Sequence, residues 1–210
     1  MGIPVLIIGK SGTGKSRSLK TFKPEEIGVI KAIEKELPFR NDFKTITTND
    51  YGTINSVLLK SKTNSIVIDD AGYLLTGEFM RRAKEVGYNK FTELANHFYD
   101  LITFITTQLP REKIVYLIMH EDENEVTGEC KPKTIGKLLD EKVCLEGMFT
   151  IVLRCLNEDG KHIFKTNNSG CAKSPEEMFD ETIENDLKFV DTSIREYYNL
   201  GGGKQDETSK

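Results

Sequence analysis

A three-layer α/β domain built on a mainly parallel sheet is the fold class this sequence predicts. Apolar runs of strand length alternate with segments whose apolar residues recur at helical spacing. Residues 9–16 (GKSGTGKS) fill every fixed position of G-x-x-x-x-G-K-[ST], directly behind an apolar run. A second apolar run, at 65–70 (SIVIDD), ends in two acids.

Residues 3–8 (IPVLII) read as a buried first strand, and 16–22 open a helix behind the glycine-rich segment. A short strand at 27–30 and a helix at 53–59 follow, and 65–69 (SIVID) is the clearest buried strand. From 89 to 109 the residues Phe91, Leu94, Ala95, Phe98, Leu101, Ile102 and Ile105 share one helical face, and Pro110 ends the helix. The run 114–119 (IVYLIM) is another strand. Strands at 149–156 and 162–166 flank NEDG, a hairpin turn. Leu187, Val190, Ile194 and Tyr197 mark a last helix, stopped by Gly201. The expected organisation is one domain over 1–200 with a C-terminal hairpin and helix. Residues 201–210 (GGGKQDETSK) have nothing to bury and are expected to form a flexible tail.

A chain of 210 residues can close a full core without disulfide staples. With 29 Lys and Arg against 33 Asp and Glu, the net charge of -4 implies no general affinity for polyanions, so any nucleic-acid contact must come from a local patch. Cys130, Cys144, Cys155 and Cys171 contain no C-x-x-C pair, which argues against zinc and against a secreted disulfide framework. A reducing cytoplasm is the expected home. The opening apolar stretch is too short to span a bilayer and lacks a charged leader, and Leu6 stands where a myristoylation signal needs Ser or Thr. No membrane partner is expected.

The glycine-rich segment carries the chemistry. Small residues let the backbone N–H groups of Gly9, Lys10, Ser11, Gly12, Thr13, Gly14, Lys15 and Ser16, with Arg17 next in line, turn inward around phosphates. Lys15 is expected to reach the terminal phosphates and Ser16 to hold magnesium, which makes ATP and Mg2+ the expected cofactors. Asp69, the first acid after its strand, is the expected second magnesium ligand, and Asp70 is placed to polarise an attacking water. The bland alternatives are an ordinary glycine turn and a solvated acidic strand end. Room for a strand and a helix between 16 and 65 suggests a further strand between the phosphate-loop strand and the acid-bearing strand.

Taken together, GKSGTGKS, VIDDAGYL, IVYLIMHEDEN, KTIGKLLDEKV followed by LEGMFTIVLR, KSPEEMF and NDLKFVD resemble small phage-encoded ATPases described as AAA-family or ATP-binding proteins. These are similar to the RecA-like Sak-group annealing and recombination proteins, and the resemblance covers roughly residues 3–199. It implies a RecA-like P-loop core, ATP hydrolysis in phage DNA recombination, single-strand annealing or replication, and a location in the infected host's cytoplasm. Single-stranded DNA, a phage recombinase or a single-strand binding protein are the implied partners. His120, expected at the end of the 114–119 strand, is implied to sense the γ-phosphate where relatives keep glutamine. RecA relatives keep a catalytic glutamate after the second strand, for which Glu34 is the nearest candidate. The base is then Asp70 or Glu34.

Beyond His120 lies the acidic run Glu121, Asp122, Glu123, Glu125 and Glu129, then Lys131, Lys133 and Lys137. RecA relatives bind DNA with the segment leaving this strand, so the resemblance implies DNA contact through these lysines. The acidic half and the lack of an aromatic platform count against it. The lysines, Arg111 or Arg154 could instead reach a neighbouring subunit's nucleotide, which makes a homo-oligomer the expected assembly. Two rivals remain: a small-molecule kinase, and a nucleotide-gated module that binds a protein partner.

Overall fold

The computed structural model describes residues 1–200 except 125, 127 and 137, with only the backbone of 140 and 141. The predicted tail, Glu125 and Lys137 therefore lie outside the described residues. In chain order the elements are β1 (Ile3–Gly9), a 3-10 helix (Ser16–Thr21), β2 (Ile27–Lys31), β3 (Thr45–Thr47), α1 (Tyr51–Lys60), β4 (Ser65–Asp69), α2 (Gly72–Arg81) and α3 (Asn89–Gln108). They continue with β5 (Ile114–Glu123), β6 (Cys130–Pro132), a π-helical turn (Leu138–Val143), a 3-10 turn (Leu145–Met148), β7 (Ile151–Glu158), β8 (Lys161–Lys165), β9 (Thr182–Glu184) and α4 (Leu187–Tyr197).

Eight strands run in the order β3-β2-β4-β5-β1-β7-β8-β9, and β6 pairs with the far end of β5. From β3 to β7 every neighbour is parallel. β8 and β9 each run antiparallel to the strand before them. Central strands buried on both faces explain why the apolar runs are continuous rather than alternating. Along β1, Leu6 and Ile8 join the core that packs against α1, α2 and α3, whereas Val5 and Ile7 join the one that packs against α4. The result is an α/β fold with helices on both faces of a mainly parallel sheet.

α3 buries Leu94, Ala95, Phe98, Leu101, Ile102 and Ile105 as its spacing predicts; truncating a buried phenylalanine such as Phe98 costs about 3–5 kcal/mol. α4 is held to the sheet by a buried polar knot. Asp191 Oδ1 accepts from Ser65 Oγ at 2.6 Å and Tyr116 OH at 2.9 Å, while Arg195 Nε donates to Asp191 Oδ2 at 2.8 Å.

Several expectations need correction. The helix behind the phosphate loop is a six-residue 3-10 helix. Phe22 turns extended and is buried in the core, and Pro24 disfavours helical geometry in the residue before it. A strand does lie between β1 and β4, as expected, but it is β5, which follows both in sequence; β2, which occupies the gap between 16 and 65, lies on the outer side of β4. β5 does not end before His120 but runs on to Glu123, because β6 supplies a ladder from Glu121 to Glu123. The segment after His120 is thus a hairpin for part of its length, not an open loop. α2, β3, β6 and β9 are additional to the predicted elements.

Candidate functional site

The carboxyl ends of β1, β4 and β5 meet at one edge of the sheet, where parallel strands place a ligand crevice. Register puts Gly9 beside His120, and Asp69 beside Lys31. The chain leaving β1 closes into a loop around its own lysine. Lys15 Nζ donates to Gly9 O and Lys10 O, both at 2.8 Å. Thr13 Oγ1 donates to Lys10 O at 2.9 Å. Gly14 has φ +100 and lies so close beneath the His162 ring that a Cβ would come within 2.7 Å of it. Only glycine fits there.

The loop is joined to β4 by one bond. Ser16 Oγ donates to Asp69 Oδ1 at 2.8 Å, across 53 residues of sequence. Burial pushes the Asp69 carboxyl above its ordinary range; the Ser16 bond opposes this and the neighbouring Asp70 adds to it. Burial lowers the Lys15 ammonium, countered by Cys155, Asp70 and Glu121.

Asp70 takes a left-handed backbone, φ 54, uncommon for a residue other than glycine. The turn is held because Ala71 N donates to Ile118 O of β5 at 2.7 Å. Its side chain is buried, with Oδ2 accepting from Lys35 Nζ at 2.7 Å and Oδ1 3.7 Å from His120 Nε2. Burial and then the charge of Lys15 lower the His120 pKa, so the imidazole is neutral at pH 7. His162, on β8, grips the loop from the other side: its Nδ1 lies 2.7 Å from Thr13 O. A carbonyl only accepts, so Nδ1 carries the hydrogen.

A cavity of ≈ 330 Å³ lies over this arrangement, lined by Ser11, Gly12, Gly14, Lys15, Ser16, Arg17, Lys35, Glu36, Pro38, Asp70, His120 and His162. A neighbouring cavity of ≈ 720 Å³ shares Ser11, Lys35 and His120 with it and adds Lys10, Tyr73 and Lys133. The structure thus brings together Lys15, Ser16, Arg17, Asp69, Asp70 and His120.

Other predicted residues lie elsewhere. Glu34 is exposed and bonds Lys31 Nζ at 2.7 Å; it does not line the cavity, whereas Lys35 and Glu36 of the same segment do. Arg154 is buried within its own chain. Nε and Nη2 donate to the two oxygens of Glu121 at 2.9 and 3.0 Å, and Nη2 also reaches Glu123 at 2.9 Å. Within this chain the guanidinium is engaged by its own two acids. Arg111 precedes β5, at the opposite end of the sheet, and donates to Tyr198 O at 3.2 Å. Lys131 lies half-buried on β6, and Lys133 is exposed with its backbone N bonded to His120 O at 2.8 Å. Lys10 forms a 2.5 Å ion pair with Glu123.

Lys35, Glu36 and His162 are site residues that sequence reasoning missed. For Lys35 and Glu36 a signal existed, since they directly follow Glu34, the candidate acid after the second strand. His162 reaches the loop only because β8 pairs with β7 and β7 with β1.

No protein-family model and no curated protein matches the chain. Among the described residues no helix is long and apolar enough to cross a membrane, and no group of three or more His, Cys, Asp or Glu is placed to hold a metal ion.

Proposed function

We propose that this chain is a RecA-like P-loop ATPase that hydrolyses ATP with Mg2+ in phage DNA recombination, single-strand annealing or replication. The observation that carries the reading is the bond between Ser16 and Asp69. An ordinary glycine turn and a solvated acidic strand end have no reason to meet, yet here a hydroxyl at the start of the 3-10 helix that follows β1 and a carboxylate at the end of β4 touch at 2.8 Å, although β5 separates the two strands. The order β2-β4-β5-β1-β7, with a strand between the loop-bearing and acid-bearing strands, is further support.

In this reading Lys15 exchanges the two loop carbonyls for the β- and γ-phosphates, and the loop N–H groups take the remaining oxygens. Ser16 and Asp69 are oxygen donors suited to a hard cation, and they are the residues that would hold Mg2+. When bound, the ion neutralises charge developing on the phosphates. Asp70 is the proton acceptor for the attacking water, since it lines the cavity whereas Glu34 is exposed, pairs with Lys31 and does not line it. In the free protein Lys35 occupies Asp70. A γ-phosphate competes for Lys35, and Asp70 is then released to orient water while neutral His120 donates or accepts a hydrogen bond beside it.

Lys10, Lys35 and Lys133 line the larger cavity and are the cations that a DNA phosphate would meet on a protein of net charge -4, in competition with Glu123 for Lys10 and with Asp70 for Lys35. That cavity, ≈ 720 Å³ and adjoining the position of the γ-phosphate, also favours a second reading in which a small anionic acceptor replaces water. Phosphate release by the full chain tests the proposal, measured with Mg2+ or EDTA, with and without single-stranded DNA, and in Lys15→Ala. Release that needs Mg2+, rises with DNA and disappears in the variant supports it. Release unaffected by Lys15→Ala contradicts hydrolysis at this site, and ATP consumed only with a small acceptor favours the kinase.

A further inference from the structure

Where the β5–β6 hairpin meets the segment after β8, two thiols lie against each other. Cys130 Sγ and Cys171 Sγ are 4.0 Å apart across 41 residues of sequence. Cys130 is buried and Cys171 half-buried. The other cysteines have different surroundings: Cys155 Sγ donates to Thr13 O at 3.1 Å, and exposed Cys144 to Glu146 Oε1 at 3.2 Å. Gly170 permits the approach. Its φ is +59, and a Cβ there would stand 2.0 Å from Cys130 Sγ, so any other residue would push the segment off the sulfur.

The first proton leaves this pair easily. Cys130 falls to about 7, because Cys171 hydrogen-bonds the thiolate and the charge of Arg154 adds to that, while burial and Glu121 oppose. The second proton is held more tightly, since Cys171 uses it in the hydrogen bond to Cys130, burial disfavours a second thiolate, and its loss would set two negative sulfurs side by side. Near neutral pH the pair therefore holds a thiolate beside a neutral thiol, the arrangement of an oxidisable sulfur and a resolving one.

We propose that Cys130 and Cys171 form a hydroperoxide-reactive site that closes to an intramolecular disulfide. The Cys130 thiolate attacks one peroxide oxygen; the O–O bond breaks, the sulfur is oxidised to sulfenic acid, and the leaving hydroxide takes a proton to become water. Cys171 sulfur then attacks Cys130 sulfur; the S–S bond forms, the S–O bond breaks, and the hydroxyl leaves with the Cys171 proton as water. Two thiols and one hydrogen peroxide become a disulfide and two waters. Hydrogen peroxide meets the pair from the half-buried Cys171 side. Closure ties β6 to a segment whose Ser169 also touches Arg154 Nη1 at 3.4 Å. Arg154 in turn holds Glu123, the partner of Lys10 in the phosphate loop. The site is independent of the ATPase reading.

The test treats the reduced full-length protein with hydrogen peroxide, counts free thiols and maps peptides without reduction. The expected result is that two of the four thiols disappear, a peptide linking Cys130 to Cys171 is recovered with a mass loss of about 2 Da, and dithiothreitol restores all of them. Cys171→Ser should leave a sulfenic acid on Cys130 that dimedone labels. Gly170→Ala keeps both thiols and should slow closure by at least about tenfold, because the methyl displaces the sulfur. Four titratable thiols after peroxide, a link through Cys144 or between two chains, or Gly170→Ala closing as fast as the wild type would each overturn the proposal. The wild-type mapping decides it even if a variant does not fold.

Discussion

Replacing Arg154 with Ala is expected to destabilise the fold by about 3–5 kcal/mol, the cost of removing one partner from a buried pair. The environment sets that magnitude. The Glu121 side chain is 0% exposed and that of Arg154 10%, and they share bonds of 2.9 and 3.0 Å. The same pair on an open surface would contribute about 0–1 kcal/mol. Without the guanidinium, Glu121 remains as a desolvated carboxylate that has lost its hydrogen-bonded counter-charge. A chain of this size loses roughly 2–4 °C per kcal/mol, so Tm should fall by about 6–20 °C. Neutralising the orphaned acid as well, in Arg154→Ala with Glu121→Gln, should recover more than half of the loss. Urea unfolding of the four proteins in the cycle, with unchanged m-values, gives the coupling. A loss below about 1 kcal/mol, or strictly additive single effects, would refute the reasoning and return Arg154 to the surface as a residue able to serve a neighbour.

Asp69→Asn should stabilise the nucleotide-free protein while removing Mg2+-dependent ATP binding. Burial raises the Asp69 carboxyl above its ordinary 3.8, so the folded state holds that proton more tightly than the unfolded chain, and stability is lost as pH rises through the folded pKa. The penalty is present wherever the carboxyl is ionised in the folded state. Asparagine still accepts from Ser16, and calorimetry should record a rise of about 2–4 °C, equivalent to roughly 1 kcal/mol; a fall would contradict it. Lys35→Met should change Tm by no more than about 3 °C, its side chain being 56% exposed, yet raise the KM for ATP roughly tenfold. Asp70→Asn should lower kcat with little change in KM, and equal losses in both would instead assign Asp70 to the magnesium shell. Gly14→Ala should lose ATP binding by driving a methyl into the His162 ring, and His162→Ala should partly restore it. Failure of that rescue in a binding titration would mean that backbone strain at φ +100, not the ring, is decisive.

The central strands and α3 were legible because burial on both faces, or on one helical stripe, leaves a periodic apolar record in the chain. The extension of β5 left none. Glu121 and Glu123 read as loop because acids seldom enter strands; Arg154, brought beside them through β1 and β7, compensates both, and Lys10 also pairs with Glu123. β3, three exposed residues of Thr and Ile, is too short to carry a pattern. The helix expected behind the phosphate loop is cut short by a local signal that was present, Pro24. In the site, Lys15, Ser16 and Asp69 were readable because their spacing follows a loop and a strand end. His162 was not, because its place depends on how β8 is ordered in the sheet.

Whether ATP occupies the loop at Lys15 is tested most directly by titrating ATP into the full chain in a calorimeter, in Mg2+ and in EDTA. Saturable binding is expected in Mg2+, weakened at least about tenfold in EDTA, and absent in Lys15→Ala, whose circular-dichroism spectrum still shows a folded α/β protein. No binding by the wild type at millimolar ATP, or equal binding by Lys15→Ala, would contradict it.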